Sequence, residues 1–285
     1  MNISLRTGKA DDAEICGEIC YKAFKSISEK HNFPPDFPVP EAAVGLISQL
    51  LSRKEIYSVV AETSGRVVGS NFLWENAAIA GVGPITVDPE LQNAAVGRRL
   101  MEAVIDRAVD RRFAGIRLVQ AAYHNRSLAL YTKLGFNVRE PLSTMQGPAL
   151  RLQIPGYAVR PATDKDLEAC NELCLRVHGH DRGPELLDAI RQGTATVVEQ
   201  GEQITGYSTS IGFIGHTVAE TNRDLQALIG AAESFFGPGF LLPTRNSELL
   251  RWCLEHGLKV VQPMTLMTIG LYNEPEGAFL PSVIF

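Results

Sequence analysis

The residues between Pro84 and Leu100 are the first whose types and spacing suggest chemistry. A β-type run, Pro84 to Val87, stops at Asp88-Pro89. A loop of small and polar residues follows (Gln92, Asn93, Ala94, Ala95), and a helical pattern begins at Val96. Val96, Leu100, Ala103, Val104 and Ala108 recur at three- and four-residue steps, which makes one buried helix face. A strand that feeds a tight loop and then a helix N-terminus presents free backbone N–H groups and the positive end of the helix dipole, an arrangement suited to an anion. Arg98 and Arg99 stand in the first turns, where cations are disfavoured unless an anion is near. Local spacing leaves a second reading open. Asp88 could cap a plain helix with Pro89 at its first position, and Gly97 would then lie inside it at a cost of ~1 kcal/mol relative to Ala.

Other reactive side chains are scattered. Asn125 to Phe136 reads as a short helix, Ser127 to Leu134, stopped by Gly135 in the position after the cap. Within it Tyr131 is either a core aromatic on the Leu128 and Leu134 face or a phenol able to give a proton. Glu75 closes a strand and offers a carboxylate as general base, and His124 adjoins Asn125. Cys16 with Cys20, and Cys170 with Cys174, are i,i+4 pairs. No further ligands stand at zinc-like spacing, and small thiols suit buried helix faces better. His178-Gly-His180-Asp181 has the composition of a metal loop but lacks the rest of a ligand set, so no metal is expected.

The elements that must position these groups follow from pattern. Ile3 to Arg6, Ile56 to Glu62, Val67 to Trp74, Ala77 to Val87, Ile116 to Ala122 and Phe136 to Glu140 read as strands. Ala13 to Lys25 and Glu41 to Leu51 read as helices. Phe33 to Pro40 carries four prolines in eight residues and is an exposed loop, of the kind that shapes access to a site. The order is that of a mixed α/β sheet. The 285 residues suggest two domains. A net charge of −5 argues against a general nucleic-acid or anionic-membrane binder. The first ten residues lack a signal-peptide core, no run approaches the ~18 apolar residues of a span, and five cysteines form no even disulfide set, so a reduced cytoplasmic location is expected.

Taken together, two motifs resemble the GNAT superfamily of acyl-CoA-dependent N-acetyltransferases. One is the strand ending in Val87-Asp88-Pro89, with Gln92 opening a Gln/Arg-x-x-Gly-x-Gly/Ala loop into a helix. The other is Asn125 with Tyr131 six residues on, then Leu134-Gly135-Phe136. The resemblance covers roughly residues 1–146. It implies an acetyl-CoA co-substrate whose diphosphate sits on the backbone of Gln92, Asn93, Ala94, Ala95, Val96, Gly97 and Arg98. It also implies a pantetheine arm along Ile85, Thr86 and Val87, held by Asn125, with Tyr131 as general acid for the leaving thiolate. Glu75 is the candidate base. Ala95 departs from the family pattern, in which that position is glycine.

The chain also repeats. Arg6, Asp12, Cys16, Glu18 and Cys20 recur as Arg160, Asp166, Cys170, Glu172 and Cys174, each 154 residues later. Asn246, Trp252 and Gly257-Leu258 echo Asn125, Tyr131 and Gly135-Phe136. The fold expected is α/β, as two tandem GNAT-like domains: residues 1–146 catalytic and 156–285 a degenerate, non-catalytic copy, joined by a Gly/Pro-rich linker from Met145 to Gly156. The second copy lacks the glycine loop, and its tryptophan would remove the phenol. The expected activity is N-acetylation of a small-molecule or peptide primary amine by a possible homodimer with no nucleic-acid or membrane partner. The alternative is a non-enzymatic acyl-CoA or small-molecule sensor on the same scaffold.

Overall fold

A computed structural model describes residues 2–91 and 95–284. The first half contains β1 (Ile3–Thr7), α1 (Ala13–Lys30), α2 (Pro40–Ser52), β2 (Ile56–Thr63), β3 (Arg66–Trp74), β4 (Ile79–Val82), β5 (Thr86–Val87), α3 (Val96–Asp110), β6 (Gly115–Ala121), α4 (Asn125–Lys133) and β7 (Asn137–Gln146). The second contains β8 (Ala158–Pro161), α5 (Leu167–His178), α6 (Gly183–Gln192), β9 (Thr196–Gln200), β10 (Gln203–Ser208), β11 (Thr217–Ala219), α7 (Asn222–Ala231), β12 (Phe240–Pro243), α8 (Ser247–Glu255), β13 (Lys259–Gly270) and β14 (Ala278–Leu280).

Strand alternation sets the layers of the first half, because successive side chains point to opposite faces. Val60 and Phe72 join Cys16, Cys20, Ile47 and Leu50 of α1 and α2 on one face. Their neighbours Val59 and Leu73 join Leu100 and Val104 of α3 on the other. All five cysteines are buried free thiols. Burial pushes the thiols of Cys16 and Cys170 up to about 11 and 12, as it does for inert core cysteines.

Residues 147–157 connect the halves without helix or strand, and the halves also share strands. One sheet runs β1-β2-β3-β4-β6-β13-β7-β12, with β5 also on β3, and a second runs β14-β11-β10-β9-β8. In the first sheet β6 pairs with β13 of the other half, and β12 pairs with β7 of the first. The strand after α4 and the strand after α8 have been exchanged, and they pair with each other, Lys259 opposite Gln146 through Thr268 opposite Asn137. Met145 and Gln146, expected in a linker, are the last residues of β7.

Two local expectations are corrected. The strand run from Ala77 to Val87 is broken in two, because Pro84 has no N–H to continue the ladder. β4 pairs with β3 up to Val82, the chain turns through the cis Gly83-Pro84 peptide, and β5 rejoins β3 at Thr86 and Val87. Gly69 on β3 permits that return, since a Cβ there would lie 2.6 Å from the Thr86 carbonyl oxygen. Asp88 does not cap α3. It accepts the Glu90 N–H over a single turn (Pro89–Leu91) and pairs with Arg66.

Candidate active site

β4 and β6 run parallel only from Ile79–Gly81 against Gly115–Arg117. Beyond that they part. Val82 to Thr86 and Leu118 to Ala121 become opposite walls of a cavity of about 640 Å³. The rest of its lining comes from α1, α2, the proline-rich loop and, from the second half, residues around Phe213, Phe236–Pro238 and Val283–Ile284.

Tyr131 lines this cavity from α4. Burial pushes its phenol up to about 12, against a hydrogen bond with Ser127 that pulls the other way, so the group stays protonated at neutral pH. Its ring meets Phe136 edge-on with centroids 6.1 Å apart. One turn back, the Ser127 hydroxyl also bonds His124 Nδ1 at 2.7 Å. His124, the residue before α4, lines the cavity too. Burial, with Arg126, His31 and Lys30 nearby, lowers it to about 4, which keeps it neutral. Positions 124, 127 and 131 thus form a polar file on one helix face.

Gln120 is the polar group that sequence reading passed over. It stands on β6, two residues past Leu118, and is 6% exposed. Among the described residues neither its amide nitrogen nor its amide oxygen has a hydrogen-bond partner, although the residue lines the cavity. A buried amide left unpaired costs about 1–3 kcal/mol, so a polar ligand group is the natural complement. The available signal was a glutamine, like Arg117 three residues before it, inside a mostly apolar strand run.

Ile85 and Thr86 line the cavity; Val87 packs behind them towards Gly97. α3 begins at Val96 with Ala95 before it at φ 61°, in the left-handed region that favours glycine. Among the described residues no side chain caps this helix, and its first turn has no acidic residue. Arg98 is half-buried and 3.4 Å from Glu102, and Arg99 donates to the Ile3 carbonyl. The loop positions Gln92, Asn93 and Ala94 lie outside the described residues. Asn125 is exposed at the start of α4 and is not among the cavity residues, where His124 stands instead. Glu75 is also absent from the lining. Arg107 holds both its oxygens, at 2.7 and 3.0 Å.

Asp36 of the proline-rich loop also lines the cavity and accepts the Gln262 amide at 3.4 Å. Gln262 in turn accepts the Tyr123 hydroxyl at 3.3 Å. Tyr123 is stacked on Phe33, with centroids 4.1 Å apart and 9° between planes. Burial lifts the Asp36 carboxyl above the usual carboxylate range.

The second half shows a register correction. Phe136 N–H bonds Tyr131 O at 3.0 Å, and Leu258 N–H bonds Cys253 O at 3.0 Å. Gly135 bonds Thr132, and Gly257 bonds Leu254, each at 3.1 Å. The residue that flanks α4 at its N-terminus is His124, and the one that flanks α8 is Asn246. The helices therefore correspond with a shift of 122, which matches Tyr131 to the buried Cys253 and His124 to Asn246. Trp252 matches Leu130 and lies against His256. Counting from Asn125 misses the correspondence by one residue. β14 also pairs along β11, Thr217 opposite Leu280, on the side where β4 faces β6. A hole of only about 20 Å³ remains there, beside Thr217, Val218 and Leu280. Among the described residues no cluster of three or more His, Cys, Asp or Glu is placed to hold a metal, and no helix is long and apolar enough to cross a membrane.

Residues 24–136 match the model of the acetyltransferase (GNAT) family. An IAA acetyltransferase of Azospirillum brasilense is 32% identical over 96 residues; these are 33% of this chain and 62% of that relative, the share of its length that the chain spans. Among solved structures, an acetyltransferase of unassigned specificity from Pyrococcus horikoshii superposes with a TM-score of 0.73 at 17% identity, over 97% of this chain and 94% of that one. A tandem GNAT protein from the clavulanic acid biosynthesis pathway gives 0.57 at 15% identity, over 94% and 98%. At these identities the likeness is one of fold, and it extends over both halves.

Proposed function

We propose, from the match of residues 24–136 to the GNAT acetyltransferase family, that the protein is an acetyl-CoA-dependent N-acetyltransferase acting on a primary amine by direct transfer. The observation that carries the reading is the cavity through the parted sheet, which holds a buried protonated phenol, Tyr131, and a buried amide without a partner, Gln120. Acetyl-CoA suits both. Gln120 complements the amides or thioester of a pantetheine arm lying along Ile85, Thr86 and Val87. The uncapped start of α3, from Ala95 through Val96, Gly97 and Arg98, takes the phosphates together with the preceding loop. Asn125, at the start of α4, is exposed beside the mouth and reaches the outer part of the arm.

When bound, acetyl-CoA supplies an acyl group activated as a thioester. The amine nitrogen gains the acetyl group, the carbon–sulfur bond breaks, the nitrogen loses a proton and the sulfur gains one. Tyr131 holds the proton for the sulfur at its hydroxyl, and burial keeps that proton in place until the thiolate forms. Ser127 and His124 replace it along the face of α4. The apolar walls exclude water, which protects the thioester from hydrolysis.

Calorimetry with acetyl-CoA, followed by a thiol-release assay across an amine panel, tests this. Saturable binding and turnover are expected. Absence of binding at millimolar acetyl-CoA overturns the reading, and binding without turnover on any amine leaves a binding protein instead.

A further inference from the structure

We propose that the part of the cavity lined by Asp36 is a site for an ammonium group carried on an apolar body, with Asp36 as its charge partner; this rests on the acetyltransferase reading and names its acceptor class. No lysine or arginine lines the cavity, whose ionisable carboxylates are Asp36 and Glu41. His124, the lining imidazole, is neutral. Among the described residues no cation pairs with Asp36. Its side-chain partner is the Gln262 amide, at a long 3.4 Å. A carboxylate drawn into an apolar cavity without a cation is costly, and a ligand ammonium removes that cost. The chain Tyr123–Gln262–Asp36 fixes the oxygen, and the Phe33 stack fixes Tyr123.

The walls around it are apolar. Phe24 and Phe37 meet edge-on, with centroids 5.7 Å apart, and Phe213, Met264 and Ile284 face them across the cavity. Phe236 stands at the mouth and is 68% exposed. Its backbone is nonetheless pinned, giving its N–H to Ile211 and accepting from Phe213. A large aromatic held in water at a cavity mouth favours an apolar ligand over a hydroxylated one. The second half therefore supplies the wall that reads the body of the acceptor, while the loop of the first half reads its charge. A free carboxylate on the acceptor would meet Asp36 and Glu41 and be repelled.

The test is calorimetry of 2-phenylethylamine without acetyl-CoA, checked by the fluorescence of Trp74, which lines the cavity. Binding is expected for the wild type, and Asp36→Asn should weaken it at least tenfold while leaving acetyl-CoA affinity unchanged. Along butyl-, pentyl- and hexylamine affinity should rise up to about fourfold per methylene. Phe236→Ser, at an exposed position that tolerates substitution, should flatten that series without moving acetyl-CoA binding. Unchanged amine affinity in Asp36→Asn overturns the proposal. So does a wild type that binds phenylalanine, glucosamine or spermidine as tightly as phenylethylamine. If the amine binds and acetyl-CoA does not, the transferase reading falls and the amine site stands. If acetyl-CoA binds and the amine does not, the reverse holds.

Discussion

The helices that follow the central hairpins of the two halves, α3 and α7, begin in opposite ways. α3 starts from Ala95 in a left-handed conformation, with no side-chain cap and no acid in its first turn. α7 starts from Thr221, whose hydroxyl accepts the Asp224 N–H, while the Asp224 carboxylate accepts the Thr221 N–H at 3.0 Å and a hydrogen bond from Thr205. Asp224 is 1% exposed. A capping box fills its helix end with a carboxylate, and that end can no longer accept an anion. The same divergence runs through the site. Tyr131 has become Cys253, and β14 occupies the edge of β11 where the first half has an open cleft. One copy leaves its helix end and sheet gap open and the other closes both.

What did not diverge is the start of each half. Arg6 grips both oxygens of Asp12 at 2.7 Å, and Arg160 grips those of Asp166 at 2.8 Å. Each aspartate also accepts a backbone N–H at 2.7 Å, from Lys9 and from Thr163. Glu62 and Glu199 complete the two clusters. The conserved part of the repeat is thus a structural clamp between the first strand and the helix entry, and the altered part is the chemistry.

Mutations can break this contrast. Tyr131→Phe should lower turnover by ~10²- to 10⁴-fold with fold and acetyl-CoA binding intact, whereas Cys253→Ser should leave turnover at the wild-type level; equal losses in both would erase the asymmetry. Asp12→Ala and Asp166→Ala should each cost about 1–2 kcal/mol in urea unfolding, since each leaves a helix-entry N–H unpaired and takes one of the arginine's two carboxylates. The guanidiniums of Arg6 and Arg160 hold these carboxyls below the usual range. Their stabilisation is therefore present above the unfolded value near 4 and lost as pH falls through the depressed folded values. Acid unfolding curves of both variants should accordingly converge on the wild type only as pH falls through those depressed folded values, well below the unfolded value near 4. Thr221→Ala should cost ~1 kcal/mol and leave acetyl-CoA affinity untouched. Ala95→Gly should stabilise by ~1 kcal/mol, because a left-handed L-residue is strained. A lower melting temperature in that variant would mean that the Ala95 methyl makes a contact worth more than the strain.

Much of this was legible before any coordinates. The Arg/Asp/Cys repeat could be read because its members are local, within one strand and one helix turn, and α3 began where its apolar periodicity did. Tyr131 was found because the residues that position it lie on its own helix. Other groups were harder to place. Glu75 looked available at a strand end, but its partner Arg107 lies 32 residues away on α3. Asn125 and His124 are adjacent in sequence, and only the start of α4 decides which of them faces the cavity. Counting along the second copy gave Trp252, because helix-end hydrogen bonds, not spacing from an asparagine, fix the register.

The sequence by itself determined the alternation of strands and helices, the repeated strand–helix start of each half and the place of Tyr131 on a short helix, since each rests on a local pattern. Only the tertiary structure decided where the strands after α4 and α8 pair, that Gln120 and Asp36 share one cavity, and that the second half walls it. Those depend on pairings more than a hundred residues apart, such as Thr265 opposite Gln120 and Gln262 on Asp36. Strand exchange preserves the same backbone hydrogen bonds and the same apolar alternation, so the local pattern is equally consistent with either partner, and side-chain packing between the halves makes the choice.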